Sequence, residues 1–217
     1  MIKIKFPDGA IKSFDSKSTP FQIASTISNG LARNILSAEF NGKKIETSTE
    51  LTEDGELRFY TWEDKEGKEA FWHSSAHLLA QVLEEFYDQI KLTIGPAISN
   101  GFYYDIDFGK NQMSEKDFPK IEKRMIEIAR EKHEFKLKSV SKSEALNYYK
   151  TNNNQYKVEL IESLNDGEIT FCDHDNFTDL CKGGHIPHTG LIKAVKLMSV
   201  AGAYWMSLIH ISRAHET

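Results

Sequence analysis

Hydrophobic and polar residues alternate in two short runs near the start of the chain, residues 2–6 (IKIKF) and 11–14 (IKSF). A period of two is typical of β-strands, and the Pro-Asp-Gly sequence at 7–9 between the runs favours a turn, so the pattern predicts a β-hairpin. An Asn-Gly pair at 41–42 and an Asp-Gly pair at 54–55 predict two further turns beside alternating runs. The first sixty residues are therefore predicted to be rich in short strands.

One helix is predicted among these strands. Thr19 can cap its N-terminus, Pro20 suits the first helical position, and Gln22 stands where it can complete a capping box. Gly30 is a residue that can end the helix. The resulting order β-β-α-β-β over residues 1–61 predicts a ubiquitin-like β-grasp domain.

A charged stretch with a glycine separates this domain from a second apolar pattern. Residues 62–68 (WEDKEGK) are predicted to be a linker, and a second domain is predicted over residues 69–206, with its core beginning at Phe71. The run FWHSSAHLLAQVLEEFY has the period of an amphipathic helix. His73 and His77 lie away from its apolar face, so we expect them to point away from the core. The residues of that apolar face are Leu78, Leu79, Val82, Leu83 and Phe86.

Helical and strand patterns mix in the rest of the chain. A second amphipathic helix is predicted after Ser114, a strand over 135–140 (FKLKSV), and a short helix capped by Ser141. We therefore predict an α+β fold for the second domain. The aromatic residues of GFYYD and AGAYW are expected to pack in the core and sheet rather than to stack on bases; they are Tyr103, Tyr104, Tyr204 and Trp205.

Composition places the chain among ordinary soluble globular proteins. It has 217 residues, 40% of them hydrophobic, and no apolar run long enough for a membrane helix or a signal peptide, so the cytoplasm is the expected location. Its two cysteines give no disulfide framework. The net charge of -5 argues against general affinity for nucleic acid, although residues 118–142 contain eight Lys/Arg against four Glu and can meet a polyanion locally.

Two motifs carry the candidate chemistry. His73 and His77 are four residues apart on the predicted helix, and Cys181 and His185 repeat that spacing about a hundred residues later in DLCKGGH. Each pair alone is weak evidence of a site. The glycines at 183–184 allow positive φ and close backbone approach, so a tight loop can aim the neighbouring side chains. We predict that the two motifs converge.

Three chemistries fit these residues, and spacing does not choose among them. The four side chains can form a tetrahedral zinc site. Alternatively, a neighbouring histidine can activate Cys181 as a thiolate nucleophile. In a third arrangement a histidine acts as the base for water without a metal, and Asp179 and Lys157 hold the substrate.

Several segments, taken in order, resemble the N-terminal part of bacterial threonyl-tRNA synthetases. They are HSSAHLL, IGPAISNGFYYD, YKVELI, FTDLCKGGH and KLMSVAGAYW, preceded by the predicted β-grasp domain. The resemblance implies that residues 1–61 form a TGS domain. It also implies that residues 69–206 form an editing domain of the type found in threonyl- and alanyl-tRNA synthetases, which removes serine wrongly attached to threonine tRNA.

The resemblance also implies roles for the site residues. His73 would act on the attacking water, with Lys157 and His77 as further catalytic residues. A second set would hold the substrate or shape the pocket, with Asp179 binding the substrate's ammonium group; this set comprises Asp179, Cys181 and His185. The partner would be tRNA(Thr) with its 3′ aminoacyl ester. The rival readings are a tRNA-binding module without turnover and a zinc-dependent ester hydrolase.

Other expectations concern cofactors, assembly and the end of the chain. In this family zinc and ATP-Mg²⁺ belong to an aminoacylation core that is not in this sequence, so no cofactor is expected and zinc at the editing site is the less favoured alternative. A monomer is expected here, and a homodimer for the full-length enzyme. Residues 207–217 (SLIHISRAHET) depart from the family pattern, so they are interpreted as a truncation or an added tail and left out of the fold prediction, and His210 and His215 are given no role.

Overall fold

A computed structural model describes residues 1–203 and 209–215, with side chains described as far as residue 202. The N-terminal part contains a mixed sheet in the order β2-β1-β5-β3-β4, in which β1 and β5 are parallel and the other neighbours antiparallel. Its elements, in chain order, are β1 (Ile2–Lys5), β2 (Ile11–Phe14), α1 (Pro20–Ile27), α2 (Asn29–Asn34), β3 (Ser37–Phe40), β4 (Lys43–Ile45) and β5 (Gly55–Tyr60).

The start of α1 was predicted correctly, and its end was not. Thr19 is the N-cap and forms a full capping box with Gln22. The helix stops at Ile27, however, because Ser28 adopts an extended conformation and caps a second helix, α2, so Gly30 lies inside α2 rather than at the end of α1. The domain thus has two helices where one was predicted, and five strands where four were predicted.

The predicted Asn-Gly turn joins β3 and β4. Asn41 has φ +50° and Gly42 has φ +75°, the left-handed conformations that a two-residue hairpin turn requires. The α1 helix packs on the sheet through the buried Ile23 and Ala24. Together these features confirm the β-grasp prediction and give the domain a core of its own, built around Ile2, Ile4, Phe6, Ile23, Ala38, Leu51 and Leu57.

The second part of the chain is a mixed α+β structure, as predicted. One sheet has the order β12-β13-β8-β6, with β7 also paired to β8, and a smaller sheet has the order β11-β10-β9. Its elements are α3 (Lys65–Phe86), β6 (Lys91–Leu92), β7 (Ala97–Ile98), β8 (Gly101–Asp107), α4 (Phe118–Glu131), β9 (Lys136–Ser139), α5 (Lys142–Thr151), α6 (Gln155–Glu162), β10 (Thr170–His174), β11 (Phe177–Leu180), β12 (Lys196–Ala203) and β13 (Ile209–His215).

Helix α3 connects the two parts and is buried along most of its length. It begins at Lys65, inside the range 62–68 assigned to a linker, so the connection after β5 is only four residues long. Thr61 donates its backbone N–H to the Asp64 carboxylate, and Trp62 packs edge-on against Phe71 with ring centroids 5.1 Å apart. The junction is therefore packed.

Helix α4 follows its prediction closely. Ser114 forms a capping box with Asp117 at the start of a short 3-10 turn, and α4 continues from there. Much of its basic face is paired: Arg124 forms two hydrogen bonds with Glu85, at 2.7 and 3.0 Å, and Lys123 lies 3.9 Å from Glu127. The Glu85 carboxylate, which lies outside residues 118–142, therefore offsets part of the positive charge of that segment. The predicted apolar positions of this helix, Phe118, Ile121, Met125 and Ile128, are all buried.

The end of the chain differs from its expectation. Residues 209–215, which the fold prediction left out, form β13 between β12 and β8, where their backbone groups pair with two strands that would otherwise leave edges open. Residues 207–208 and 216–217 lie outside the described residues, as do Tyr204 and Trp205 of the AGAYW motif, and the side chains of His210 and His215 are not described. Tyr104 is buried, as predicted.

Across residues 1–203 and 209–215, no helix combines the length and the apolar character needed to cross a membrane.

Candidate functional site

Helix α3 places two imidazoles side by side. His73 and His77 are one helical turn apart, and their Nε2 atoms lie 3.3 Å from each other. His77 is buried, at 2% exposure, whereas His73 is partly exposed. The face of α3 that carries them is thus turned away from its main apolar face, as predicted, but it faces a protein interior rather than solvent.

The loop after β11 supplies the other pair. The Sγ atom of Cys181 lies 3.3 Å from Nε2 of His185, and the Cys181 backbone N–H donates to the Thr170 carbonyl of the neighbouring strand β10. Between them Gly183 and Gly184 have φ +85° and +88°, a conformation that side-chain-bearing residues rarely adopt. The two glycines therefore turn the chain sharply enough to bring His185 back onto Cys181.

The two pairs meet, which confirms the predicted convergence. The His73 Nε2 atom is 2.9 Å from Cys181 Sγ, and the ring of His73 stacks on that of His185 at 4.8 Å. The ligand atoms of His73, His77, Cys181 and His185 all lie within 4.8 Å of one another. Two segments a hundred residues apart in sequence therefore form one cluster.

The Cys181–His185 pair is polarised. Burial alone would raise the pKa of the Cys181 thiol, but the charge of His185 and hydrogen bonds from His185 and His73 outweigh it and lower that pKa to about 6. Burial would likewise lower the pKa of His185, yet the Cys181 charge and hydrogen bonds with Cys172, Cys181 and Glu46 raise it well above its usual value. Each of the two groups therefore favours the charged form of the other, the thiolate of Cys181 and the imidazolium of His185.

His77 has the opposite character. Its burial, together with the charges of His73, His185, His174 and Lys157, holds its pKa well below the usual range for histidine. His77 is therefore neutral at physiological pH. A neutral imidazole both donates and accepts a hydrogen bond, so it can serve as a partner for His73.

A second buried polar group lies next to the cluster. Lys157 Nζ is 2.6 Å from Asp179 Oδ1, and both side chains are almost completely buried. Tyr104 donates to Asp179 Oδ2 at 2.6 Å and Tyr149 donates to Oδ1 at 3.3 Å, while His77 Nδ1 lies 3.6 Å from Oδ2. The carboxylate is thus engaged on both oxygens within the protein.

A cavity of about 620 Å³ opens onto both groups. Its wall includes His73, His77, Lys157, Asp179 and Cys181, together with Lys44 from the first domain. His185 is fully buried behind Cys181 and does not line the cavity, so it acts on the cluster from behind rather than as part of the pocket surface that the resemblance implied. Of the six predicted site residues, five therefore line one cavity.

The donor set is chemically suited to a metal ion. Three imidazole nitrogens and one thiolate are ligands that zinc prefers, and ligand atoms around tetrahedral zinc stand roughly 3.3 to 3.8 Å apart given bonds of about 2.0 to 2.3 Å. Adjacent contacts here are 2.9 to 3.3 Å. The largest separation among the four ligand atoms is 4.8 Å, so to hold zinc the close contacts would have to lengthen and the widest one shorten. His73, His77, Cys181 and His185 would hold the ion, which would supply Lewis-acid chemistry.

Sequence reasoning missed several residues that support the site. The GFYYD motif was interpreted as packing only, but the hydroxyl of Tyr104 in that motif holds Asp179. Tyr149 likewise donates its hydroxyl to Asp179 and accepts the Leu180 backbone N–H. Glu46 accepts hydrogen bonds from the loop that carries His185. No local pattern marks Tyr149 or Glu46, since each acts through a contact with a distant segment.

Comparison with known proteins agrees with this organisation. Residues 2–61 match the model of the TGS domain, and residues 169–206 match that of the threonyl and alanyl tRNA synthetase second additional domain. Over 205 residues, 94% of this chain, it is 63% identical to a threonine--tRNA ligase of Flavobacterium psychrophilum and 52% identical to one of Cytophaga hutchinsonii. A threonine--tRNA ligase of Bacteroides thetaiotaomicron is 46% identical over the same length. The chain spans about a third of these relatives, 31% to 32% of their length.

Proposed function

Because this chain is the counterpart of the N-terminal region of threonine--tRNA ligases, with its TGS domain and second additional domain, we propose that it hydrolyses serine wrongly attached to tRNA(Thr). The observation that carries this proposal is the position of His73. It is the only partly exposed member of the four-residue cluster, and it faces a cavity whose wall also contains Lys157 and Asp179. A base open to water therefore stands beside groups that can hold a substrate.

The reaction is the hydrolysis of an ester. Water attacks the carbonyl carbon of the seryl ester while the His73 imidazole takes up a proton from that water. The bond from the carbonyl carbon to the ribose oxygen of the terminal adenosine then breaks, and the ribose oxygen takes a proton. The products are free serine and tRNA(Thr) with its terminal hydroxyl restored.

The other residues divide the remaining work. Neutral His77 contacts His73 and orients it, and the Lys157 ammonium is positioned to stabilise negative charge that develops on the carbonyl oxygen. Asp179 holds Lys157 in place, and we assign it the serine ammonium as a further partner. Cys181 forms part of the pocket wall next to His73, and His185 supports it.

A separate hydrolytic site compensates for the limited ability of a binding pocket to distinguish serine from threonine. Serine lacks one methyl group of threonine, so it can enter a pocket built for threonine, and one methyl contributes only about 1 to 3 kcal/mol of discrimination. A second site that destroys the product of such errors raises the overall accuracy. The aminoacylation activity in the name of the relatives is proposed only for a full-length enzyme, and zinc and ATP-Mg²⁺ for its aminoacylation core.

Deacylation assays test the proposal. The chain should release serine from Ser-tRNA(Thr) and leave Thr-tRNA(Thr) largely intact, and His73→Ala should lower the rate by about 10²- to 10⁴-fold, the usual contribution of a general base. His133→Ala is a matched control, because His133 pairs with Glu131 outside the cluster. Unchanged hydrolysis by the His73→Ala variant would remove the assignment of His73. Binding of tRNA(Thr) without release of serine would instead favour the non-catalytic tRNA-binding module.

Metal analysis decides between the metal-free site that we favour and a zinc-dependent hydrolase. We expect purified protein to contain far less than one zinc per chain, and its activity to survive chelators. Stoichiometric zinc that is lost in Cys181→Ser but kept in Cys172→Ser would overturn the metal-free assignment. The comparison is informative because both cysteines contact His185, but only Cys181 belongs to the four-residue cluster.

We also propose the assembly and location that accompany this role. The chain would act as a monomer in the cytoplasm and bind tRNA(Thr) through its 3′ aminoacyl end, whereas the full-length enzyme would be a homodimer. Size-exclusion chromatography with light scattering tests the monomer.

A further inference from the structure

A carboxylate of the first domain reaches into the cluster of the second. Glu46 directly follows β4, and its side chain accepts three hydrogen bonds from the glycine loop. The Gly184 backbone N–H donates to Oε1 at 2.8 Å, the His185 backbone N–H to Oε2 at 3.2 Å, and His185 Nδ1 lies 3.0 Å from Oε1. Both oxygens of the carboxylate are therefore engaged with the loop that positions His185.

The contact is buried and closely fitted. Glu46 is 6% exposed although it is an acidic residue in a small, strand-rich domain. A Cβ atom at Gly183 would lie 3.0 Å from Glu46 Oε1 and 2.9 Å from a methyl carbon of Leu137. A buried carboxylate that lost its partners would be costly, so this arrangement strongly favours the docked position of the loop.

The hydrogen bond between Glu46 and Nδ1 determines the orientation of the His185 ring. A carboxylate accepts and does not donate, so Nδ1 must carry the proton. The other ring nitrogen, Nε2, then points to Cys181 Sγ at 3.3 Å, and the ring face stacks on His73. Glu46 thus holds a proton on Nδ1 and fixes the orientation of a ring that touches two members of the cluster.

We propose that Glu46 is a positioning residue for hydrolysis, so that the first domain completes the site in the second. Glu46 does not act on the substrate; it acts through His185 to hold Cys181 and His73. The inference rests on the proposed hydrolysis of Ser-tRNA(Thr), and it gives the TGS domain a role in that reaction.

Other contacts also join the two domains, and one of them provides a control. Lys44, two residues before Glu46, pairs with Glu69 of α3 at 2.9 Å, and the Ser37 hydroxyl donates to the Glu66 carbonyl at 3.5 Å. The Lys44–Glu69 pair crosses the same domain boundary, but it does not touch His185. A Lys44→Met variant therefore weakens the boundary without removing the carboxylate.

The first test observes the His185 ring in the full chain without tRNA. Two-dimensional NMR of the ¹⁵N-labelled imidazole rings distinguishes the protonated nitrogens. We expect a fixed proton on Nδ1 of His185 in the wild type and in Lys44→Met, and a changed or averaged signal in Glu46→Ala. Identical His185 signals in the wild type and in folded Glu46→Ala would overturn the proposal.

The second test measures single-turnover and steady-state hydrolysis of Ser-tRNA(Thr). We expect kcat to fall about 10- to 100-fold in Glu46→Ala, as for other carboxylates that orient a functional histidine, with KM within about twofold of the wild type. Glu46→Gln, which has nearly the same volume and keeps an acceptor for Gly184, should lie between the wild type and Glu46→Ala, and it replaces Glu46→Ala if that variant does not fold. An active wild type with an equally active, folded Glu46 variant contradicts this inference, whereas an inactive wild type contradicts the proposed function.

Discussion

The cavity joins two buried polar groups that differ in how their charges arise. The charges of Cys181 and His185 depend on each other, because the charge of His185 and its hydrogen bond help to lower the thiol pKa to about 6. Lys157 and Asp179 form a direct ion pair at 2.6 Å, completed by two tyrosine hydroxyls. The comparison indicates that Cys181 and His185 are suited to proton transfer. Lys157 and Asp179 instead form a structural ion pair, which stabilises the fold only while both partners are present.

The largest effect that would distinguish the two groups is expected from removing one partner of the Lys157–Asp179 ion pair. Asp179→Ala would leave the Lys157 ammonium unpaired among buried groups, so we expect the free energy of unfolding to fall by about 3 to 5 kcal/mol. Urea denaturation followed by circular dichroism measures the change. Replacing both residues, as Lys157→Met with Asp179→Leu, should recover much of the loss, and a double variant no more stable than Asp179→Ala would refute the ion-pair explanation.

A smaller effect is expected from the loop that carries His185. Gly183→Ala places a Cβ at φ +85°, where it meets Leu137 and Glu46, so we expect a loss of about 1 to 3 kcal/mol together with slower hydrolysis. Gly167→Ala is a matched control, because Gly167 has φ +89° with nothing within 4 Å of the added Cβ. Equal stability losses at the two sites with unchanged hydrolysis in both would show that the close packing at Gly183 has no consequence for the site.

The smallest effect concerns a histidine that neither group uses. His174 is buried, neither of its ring nitrogens has a hydrogen-bond partner among the described residues, and burial lowers its pKa to about 3. Between pH 6.5 and 3 the unfolded chain binds a proton that the folded chain does not, so stability falls as the pH drops through this window.

His174→Leu should therefore be neutral or stabilising at pH 7. At pH 5.5 the wild type should have lost about 1.4 kcal/mol that the variant keeps. Denaturation at pH 7.5 and 5.5 measures the difference, and parallel losses in the two proteins would show that His174 does not contribute to acid sensitivity.

Sequence reasoning recovered the parts of the site that local spacing determines. His73 and His77 are neighbours because a helical turn makes them so, and the two glycines mark a tight loop at Cys181 and His185. The start of α1 was likewise determined locally, by the capping box of Thr19.

What the sequence could not predict depends on contacts between distant segments. Glu46 is one acidic residue among many, and only the docking of two domains shows that it contacts His185. Tyr104 is expected in the core from its type, and its hydroxyl acquires a partner only when Asp179 of β11, a strand of the other sheet, comes within reach. The start of α3 was placed too late because a charged, glycine-containing stretch resembles a linker, whereas here Gly67 packs directly against Thr61.

That last contact has a geometric consequence. A Cβ atom at Gly67 would lie 2.0 Å from the Thr61 carbonyl oxygen, so the first turn of α3 is seated directly on the end of β5. His73 lies six positions after Gly67 within one continuous helix. Each residue of a helix advances the chain by about 1.5 Å and turns it by about 100°. The contact at Gly67 therefore fixes the direction in which His73 and His77 point relative to the first domain. A single residue inserted between Gly67 and His73 would rotate the two imidazoles by about 100° about the helix axis, away from the domain that carries Glu46, even if both domains kept their folds.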